Sequence, residues 1–350
     1  MLALRACAEA LRYAPAVVLA IVAGYSEARS AGLLALRSYS GCWRLRYRAA
    51  DDGSWRAAWQ GIPDPAGFAE PMFASEETAG GALGVARSVG GGVVLTRFDV
   101  ARNSWQSRVA PGAAPMEHIL SVAANDEFVF AMGRPSMAAS SCVSQAYDRA
   151  RNEWLILPKS AARYGHSMTA SASQLYVIGG FAACGRMCHV LDLGPLCGLG
   201  GHPGPLLPSV PSQPSNPTPA DGRPLARPLV HPLAWRTAPD LPMARYLHAS
   251  ILVGTTLYVM GGRDGASRPV ADVCQLDTLR CEAWLLSVWR LPRLITNLAV
   301  HVTSDGTVII ADILTRGTQE IVPSATCYGG RPGAPWSELP HVPRVGAEFP

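Results

Sequence analysis

A histidine three residues after an arginine, followed downstream by two adjacent glycines, is a combination that can do chemistry. Residues 163–180 read RYGHSMTASASQLYVIGG, placing His166 between Arg163 and Gly179-Gly180. An imidazole titrates near neutrality and serves as a base or a metal ligand. Paired glycines after an apolar strand can bring backbone N–H groups up to a phosphate. Neither reading survives comparison with the rest of the chain. Residues 245–262, RYLHASILVGTTLYVMGG, repeat the segment in register, with Arg245, Tyr246, His248 and Gly261-Gly262 in the same places. A residue that recurs with its tile belongs to the architecture, so His166 and His248 are expected to hydrogen-bond a turn or pack between repeats. No phosphate-loop or dinucleotide fingerprint follows either glycine pair. Cys184, Cys188 and Cys197, with His189 and His202 nearby, lack the short Cys-x-x-Cys pairs that preform a tetrahedral zinc site, so no metal is expected.

The elements that must carry these tiles are suggested by composition. Of 350 residues, 34 are glycine and 29 proline, and only 16% are charged, which suits short strands and tight turns better than helices. The net charge of +4 is mild and the arginines are dispersed, which argues against nucleic acid as a partner. Nine cysteines at irregular spacing read as reduced thiols in the cytoplasm. The longest apolar run, APAVVLAIVAG at 14–24, is too short to span a bilayer, and the repeat described next gives it a strand's work.

Tryptophans measure the repeat. Trp55, Trp105, Trp154, Trp235, Trp284 and Trp336 are separated by 50, 49, 81, 49 and 52 residues. The long interval contains residues 194–233, with 11 prolines in 40 residues, which is read as a disordered insertion. An aromatic or aliphatic residue, often followed by Asp, precedes most of the tryptophans, as in Phe98-Asp99, Tyr147-Asp148 and Leu276-Asp277. A Leu-Pro or Ile-Pro pair follows most of them. Each unit then reads as four short strands, the second ending in glycines and the third in Tyr-Asp. Such units arranged radially make a β-propeller. The first unit begins with AVVLAIVAG, read as a second strand, so the tail LPHVPRVGAEFP is expected to supply its missing strand and close the ring.

The diglycine, the Tyr-Asp, the Trp behind it and the Leu-Pro turn together resemble the kelch family over residues 15–350. The resemblance implies an all-β, six-bladed kelch propeller. Gly179, Gly180, Gly261 and Gly262 and the six tryptophans are its structural repeat positions. Residues 1–14, MLALRACAEALRYA, predict a short helix and resemble the end of the BACK region in BTB-BACK-kelch proteins, which implies a chain lacking the BTB domain.

What such a resemblance implies for function is a non-catalytic protein-interaction module, similar to the substrate-recognition propeller of cullin–RING ubiquitin ligase adaptors. Its partner, an acidic peptide, would dock on the loops around one mouth of the channel. A cullin would be reached only through a BTB region absent here. Arg163, Arg245 and Arg293 stand at the start of first strands, and Arg134 and Arg263 follow glycine ends. With Tyr25, Tyr164, Phe181 and Tyr246 interleaved, they are expected to form a ring suited to carboxylates. The alternatives are a cytoskeletal or scaffold-binding kelch protein and a propeller enzyme resembling galactose oxidase. The eight histidines show no grouping fit for copper, so neither cofactor nor catalytic residue is expected.

Overall fold

The computed structural model describes the backbone of the strands within residues 18–99. It also describes residues 102–197, 233–312 and 326–339, short breaks aside, with side chains mainly from Val93 onward. Almost every element is a strand, and the strands pair into antiparallel meanders. The first sheet holds β1 (Val18–Ala23), β2 (Ala31–Ser38), β3 (Gly41–Ala49) and β4 (Trp55–Ile62). The second holds β5 (Phe68–Phe73), β6 (Gly81–Ser88), β7 (Val93–Asp99) and β8 (Ser104–Arg108). In the third are β9 (His118–Ala124), β10 (Phe128–Arg134), β11 (Ser141–Asp148) and β12 (Glu153–Ile156), with β13 (Ser160–Ala161) added beside β11. The fourth comprises β14 (Ser167–Ala170), β15 (Gln174–Ile178), β16 (Cys188–Asp192) and β17 (Trp235–Ala238). The fifth has β18 (Ala249–Val253), β19 (Thr256–Met260), β20 (Asp272–Asp277) and β21 (Leu285–Arg290). The last has β22 (Leu298–Val302), β23 (Val308–Asp312), β24 (Cys327–Gly330) and β25 (Ser337–Leu339).

These four-stranded antiparallel sheets stand in a propeller arrangement. First strands of successive sheets lie side by side, β9 against β14, β14 against β18 and β18 against β22, without sharing backbone pairing. Second strands are covered on both faces: all seven residues of β10 are buried, whereas β9 alternates between buried and half-buried. Facing sheets pack through apolar layers. Phe128, Phe130 and Met132 of the third sheet meet Met168, Leu175 and Val177 of the fourth. Ile178 and Val190 meet Leu257, Val259 and Leu276. Met260 and Val273 meet Val300, Val308 and Ile310.

Three expectations change. The first sheet is complete from local chain, with Val18 paired to Arg37 and β2 to β3, so AVVLAIVAG forms a first strand and not a second. The next apolar run, AGLLALRS, takes the second place, and no strand from the tail is needed. Residues 340–350 themselves lie outside the described residues, as do residues 1–14 and Tyr25. The proline-rich stretch starts later than 194, because Gly194–Cys197 form one helical turn with Leu196 buried in the core. Residues 198–232 lie outside the described residues. In the second sheet, the register shifts between Ala69 and Met72, where Pro71 has no N–H to give the ladder. No helix among the described residues is long and apolar enough to cross a membrane.

Candidate functional site

The residues expected to form the site come together at the junction of first strands with glycine ends. The glycines act by conformation and by closeness. Gly179 has φ +60° and Gly262 φ +79°, which L side chains seldom adopt. A Cβ on Gly262 would stand 2.5 Å from the Tyr246 carbonyl oxygen, and one on Gly179 2.7 Å from that of Arg245. Through this gap one sheet grips the next: the Gly180 N–H donates to Arg245 O at 2.8 Å.

Arg163 and Arg245, expected to meet a partner, are 1% and 0% exposed. Their guanidiniums turn inward as internal staples. Arg163 Nη1 donates to the carbonyls of Gly179 (3.2 Å) and Met187 (3.3 Å), and its Nη2 lies 2.8 Å from His189 Nδ1. Arg245 repeats the geometry, with Nη1 on Asp272 O at 2.6 Å and Nη2 on Cys274 Sγ at 3.4 Å. Both therefore hold the segment leading into a first strand against the third strand of the same sheet, and are corrected from contact residues to structural ones. Burial lowers both guanidinium pKa values, against which nearby thiols act. Arg134 is also buried, with Nη2 donating to Ala139 O and the guanidinium carbon 4.8 Å above the Tyr164 ring centre. Tyr246 is buried too, its hydroxyl donating to Ser267 Oγ at 2.8 Å. The alignment of the two tiles carried the clue: Arg163 and Arg245 recur in register just as His166 and His248 do, and recurrence marks the tile.

Four of the expected contact residues reach the surface. Tyr164, Phe181 and Arg263 are half-buried, and Arg293 is exposed. Arg263 Nη1 donates to Ser267 O at 2.7 Å, and the Arg293 guanidinium carbon lies 6.0 Å from the Tyr328 ring centre.

The histidines behave as tile residues. His166 Nε2 lies 2.6 Å from Ser121 Oγ of the preceding sheet, and His248 Nε2 lies 2.9 Å from Ser167 Oγ. Thr169 and Ser250 hydroxyls, 2.6 Å apart, add a third link between first strands. A serine beside an imidazole at this distance has the spacing of a nucleophile and its base. Here both members are buried, the pair recurs, and His166 Nδ1 lacks the hydrogen bond to a third group that would orient it. Burial, and then Arg163, pushes His166 down to about 3. Burial, then Arg245 and His166, does the same to His248, and burial alone takes His301 to about 3. The His166 and His248 rings are thus neutral struts between sheets. Ser121 and Ser167, which receive the His166 and His248 rings, carried no signal in the sequence, because hydroxyls on a strand are common.

Four of the tryptophans tie a sheet to its predecessor. Trp105 Nε1 donates to Pro63 O (2.6 Å), Trp235 to Pro158 O (2.8 Å), Trp284 to Pro239 O (2.8 Å) and Trp336 to Arg290 O (2.7 Å). Trp154 is buried against Tyr147, and Trp55 is described by its backbone in β4. Of the thiols weighed as a metal cluster, Cys184 and Cys188 are buried and in no disulfide, and His189 is engaged by Arg163.

Residues 244–281, from the start of the fifth sheet to the turn after β20, match the Kelch motif. Together with the sheet arrangement, this match supports a kelch-repeat propeller. No curated protein matches the chain.

Proposed function

We propose that this kelch-repeat propeller is a non-catalytic protein-interaction module whose loop end around the hub receives a segment of a partner protein. The observation that carries the reading is a continuous arc of side chains over three sheets. Arg134 stacks under Tyr164, and the Phe181 N–H donates to Tyr164 O at 2.7 Å. The ring of Phe181 meets that of Tyr246 edge-on at 5.2 Å, and Tyr246 exchanges backbone hydrogen bonds with Arg263. Buried members hold the half-buried ones still, so Tyr164, Phe181 and Arg263 present preorganised aromatic and cationic surface. Such residues dominate binding energy at protein interfaces. Arg263 and Arg293 favour an acidic segment.

The finer parts of the reading have their own support. A six-bladed ring has its support in the four-stranded sheets among the described strands, with β1 beside both β5 and β22. A cytoplasmic setting accords with Cys142, Cys184, Cys188, Cys274, Cys281 and Cys327, none of which is in a disulfide. A role as substrate receptor in a cullin-based ligase rests on the resemblance to that family's propellers, and recruitment would run through a BTB region. The test is affinity capture with the wild type and with Phe181→Ala/Arg263→Glu, both checked for folding by circular dichroism. The variant is expected to lose the wild type's specific partners. Partners retained undiminished would overturn the reading.

A further inference from the structure

The outer edges of the sheets differ in chemistry. Among the fourth strands whose side chains are described, β8, β17 and β25 expose polar groups: Gln106 and Arg108, Arg236 and Thr237, Ser337 and Glu338. Sheet edges kept from pairing usually carry such groups. The edge strand of the fifth sheet departs from them. β21 is the longest of the set, and it exposes Leu285 (60%), Leu286 (62%) and Val288 (95%). Leu279, in the turn before it, is 79% exposed.

Local pairing explains the exposure. β21 is bonded to β20 on one side, and no described strand borders its other side. Leu286 faces Cys274 and Arg290 faces Asp272, so β21 bulges between them. The bulge carries Trp289 inward, where its ring stacks on Trp336 at 4.3 Å and its Nε1 donates to Ala334 O at 3.0 Å. Val288, its neighbour, is thereby turned outward.

The charges along the strand say what covers it. Glu282 stands before β21 and Arg290 at its end, both exposed. A strand that is negative at one end and positive at the other complements a reversed copy of itself. Two copies laid antiparallel, with Ser287 on the two-fold axis, put Leu286 of each opposite Val288 of the other and Arg290 diagonal to Glu282. Arg290 also bridges Asp272 at 3.3 Å, and at 72% exposure it is open to a second carboxylate.

We propose that a second copy of the chain docks on the outer edge of the fifth sheet, β21 against β21 and antiparallel. One edge strand covers less than the roughly 800 Å² per partner of standard interfaces, so micromolar association is expected. Sedimentation equilibrium of the full chain up to about 100 μM tests this and should show monomer and dimer in exchange. Val288→Lys is expected to weaken the dimer at least about tenfold. Ile156→Lys, the same change at an exposed apolar residue of β12, should leave it unchanged. Glu282→Arg and Arg290→Glu should each weaken it, and the two together restore it, with circular dichroism confirming that every variant is folded. A monomer throughout would overturn the proposal and leave the edge to a strand of another protein. Indifference to Val288→Lys, or equal weakening by Ile156→Lys, would overturn the site. Failure of the double reversal to restore association would overturn the antiparallel arrangement.

Discussion

Cys281 occupies a backbone conformation made for another residue. It lies in the left-handed region at φ 51°, in the turn that carries each third strand into the fourth. In the equivalent turns stand Asn103 (φ 49°) and Asn152 (φ 58°), a residue type that tolerates this region. The turn is otherwise the same: Asp148 and Asp277 each accept from backbone N–H groups two and three residues on, and Cys281 N–H closes on Asp277 O at 2.8 Å. Replacing Cys281 with Asn is therefore expected to stabilise the protein by about 1 kcal/mol, read as a raised midpoint in urea. At this scale the sequence is legible where a residue type has one job. The Asp before a turn and the glycines at positive φ could be assigned from type and spacing. Arg163 could not, since a guanidinium is usually solvated and only its carbonyl partners, Gly179 just after β15 and Met187 just before β16, show that it is internal.

At the scale of strands and sheets, the spacing of tryptophans announces the repeat, but what each indole does depends on a carbonyl in another sheet. Trp284 donates to Pro239 O, whereas Trp154 Nε1 is buried without a hydrogen-bond partner. The two give a paired prediction. Trp284→Phe leaves a carbonyl unpaired and is expected to cost about 1 kcal/mol. Trp154→Phe removes an unsatisfied N–H and is expected to be neutral or stabilising. Equal losses in chemical denaturation would show that the indole N–H is irrelevant to the latch. Strand order within a sheet was harder to read. AVVLAIVAG and AGLLALRS are both apolar, and first and second strands are both buried enough to demand it, so hydropathy does not rank them. Their pairing in β1–β2 does.

For the whole molecule, three buried imidazoles set the response to acid. In the folded state His166, His248 and His301 hold pKa values of about 3, well below the ordinary 6.5. The unfolded chain therefore takes up protons first as pH falls. The stability from keeping these rings neutral is complete above pH 6.5 and is lost between 6.5 and about 3. The slope is about 1.4 kcal/mol per histidine per pH unit within that window. Urea midpoints measured from pH 7 to pH 4 should fall steeply, and His248→Gln should flatten the slope. An unchanged slope in that variant would remove the histidine from the account. The neighbour relations behind this, Ser121 with His166 and Ser167 with His248, span 45 and 81 residues and had no local trace in the chain.

The sheets also share one topological habit: among the described strands, each is built from consecutive strands, and none is lent across the ring. Among the described strands, what joins one sheet to the next is an indole, a hydroxyl, a few single backbone hydrogen bonds and an apolar layer, with no common ladder. Pulled at both ends, the described strands have no clasp whose rupture frees everything at once. They would unravel as a train of similar events, each paying out about fifty residues. In mechanical terms the ring is a set of pages bound edge to edge, and its toughness is that of a single binding.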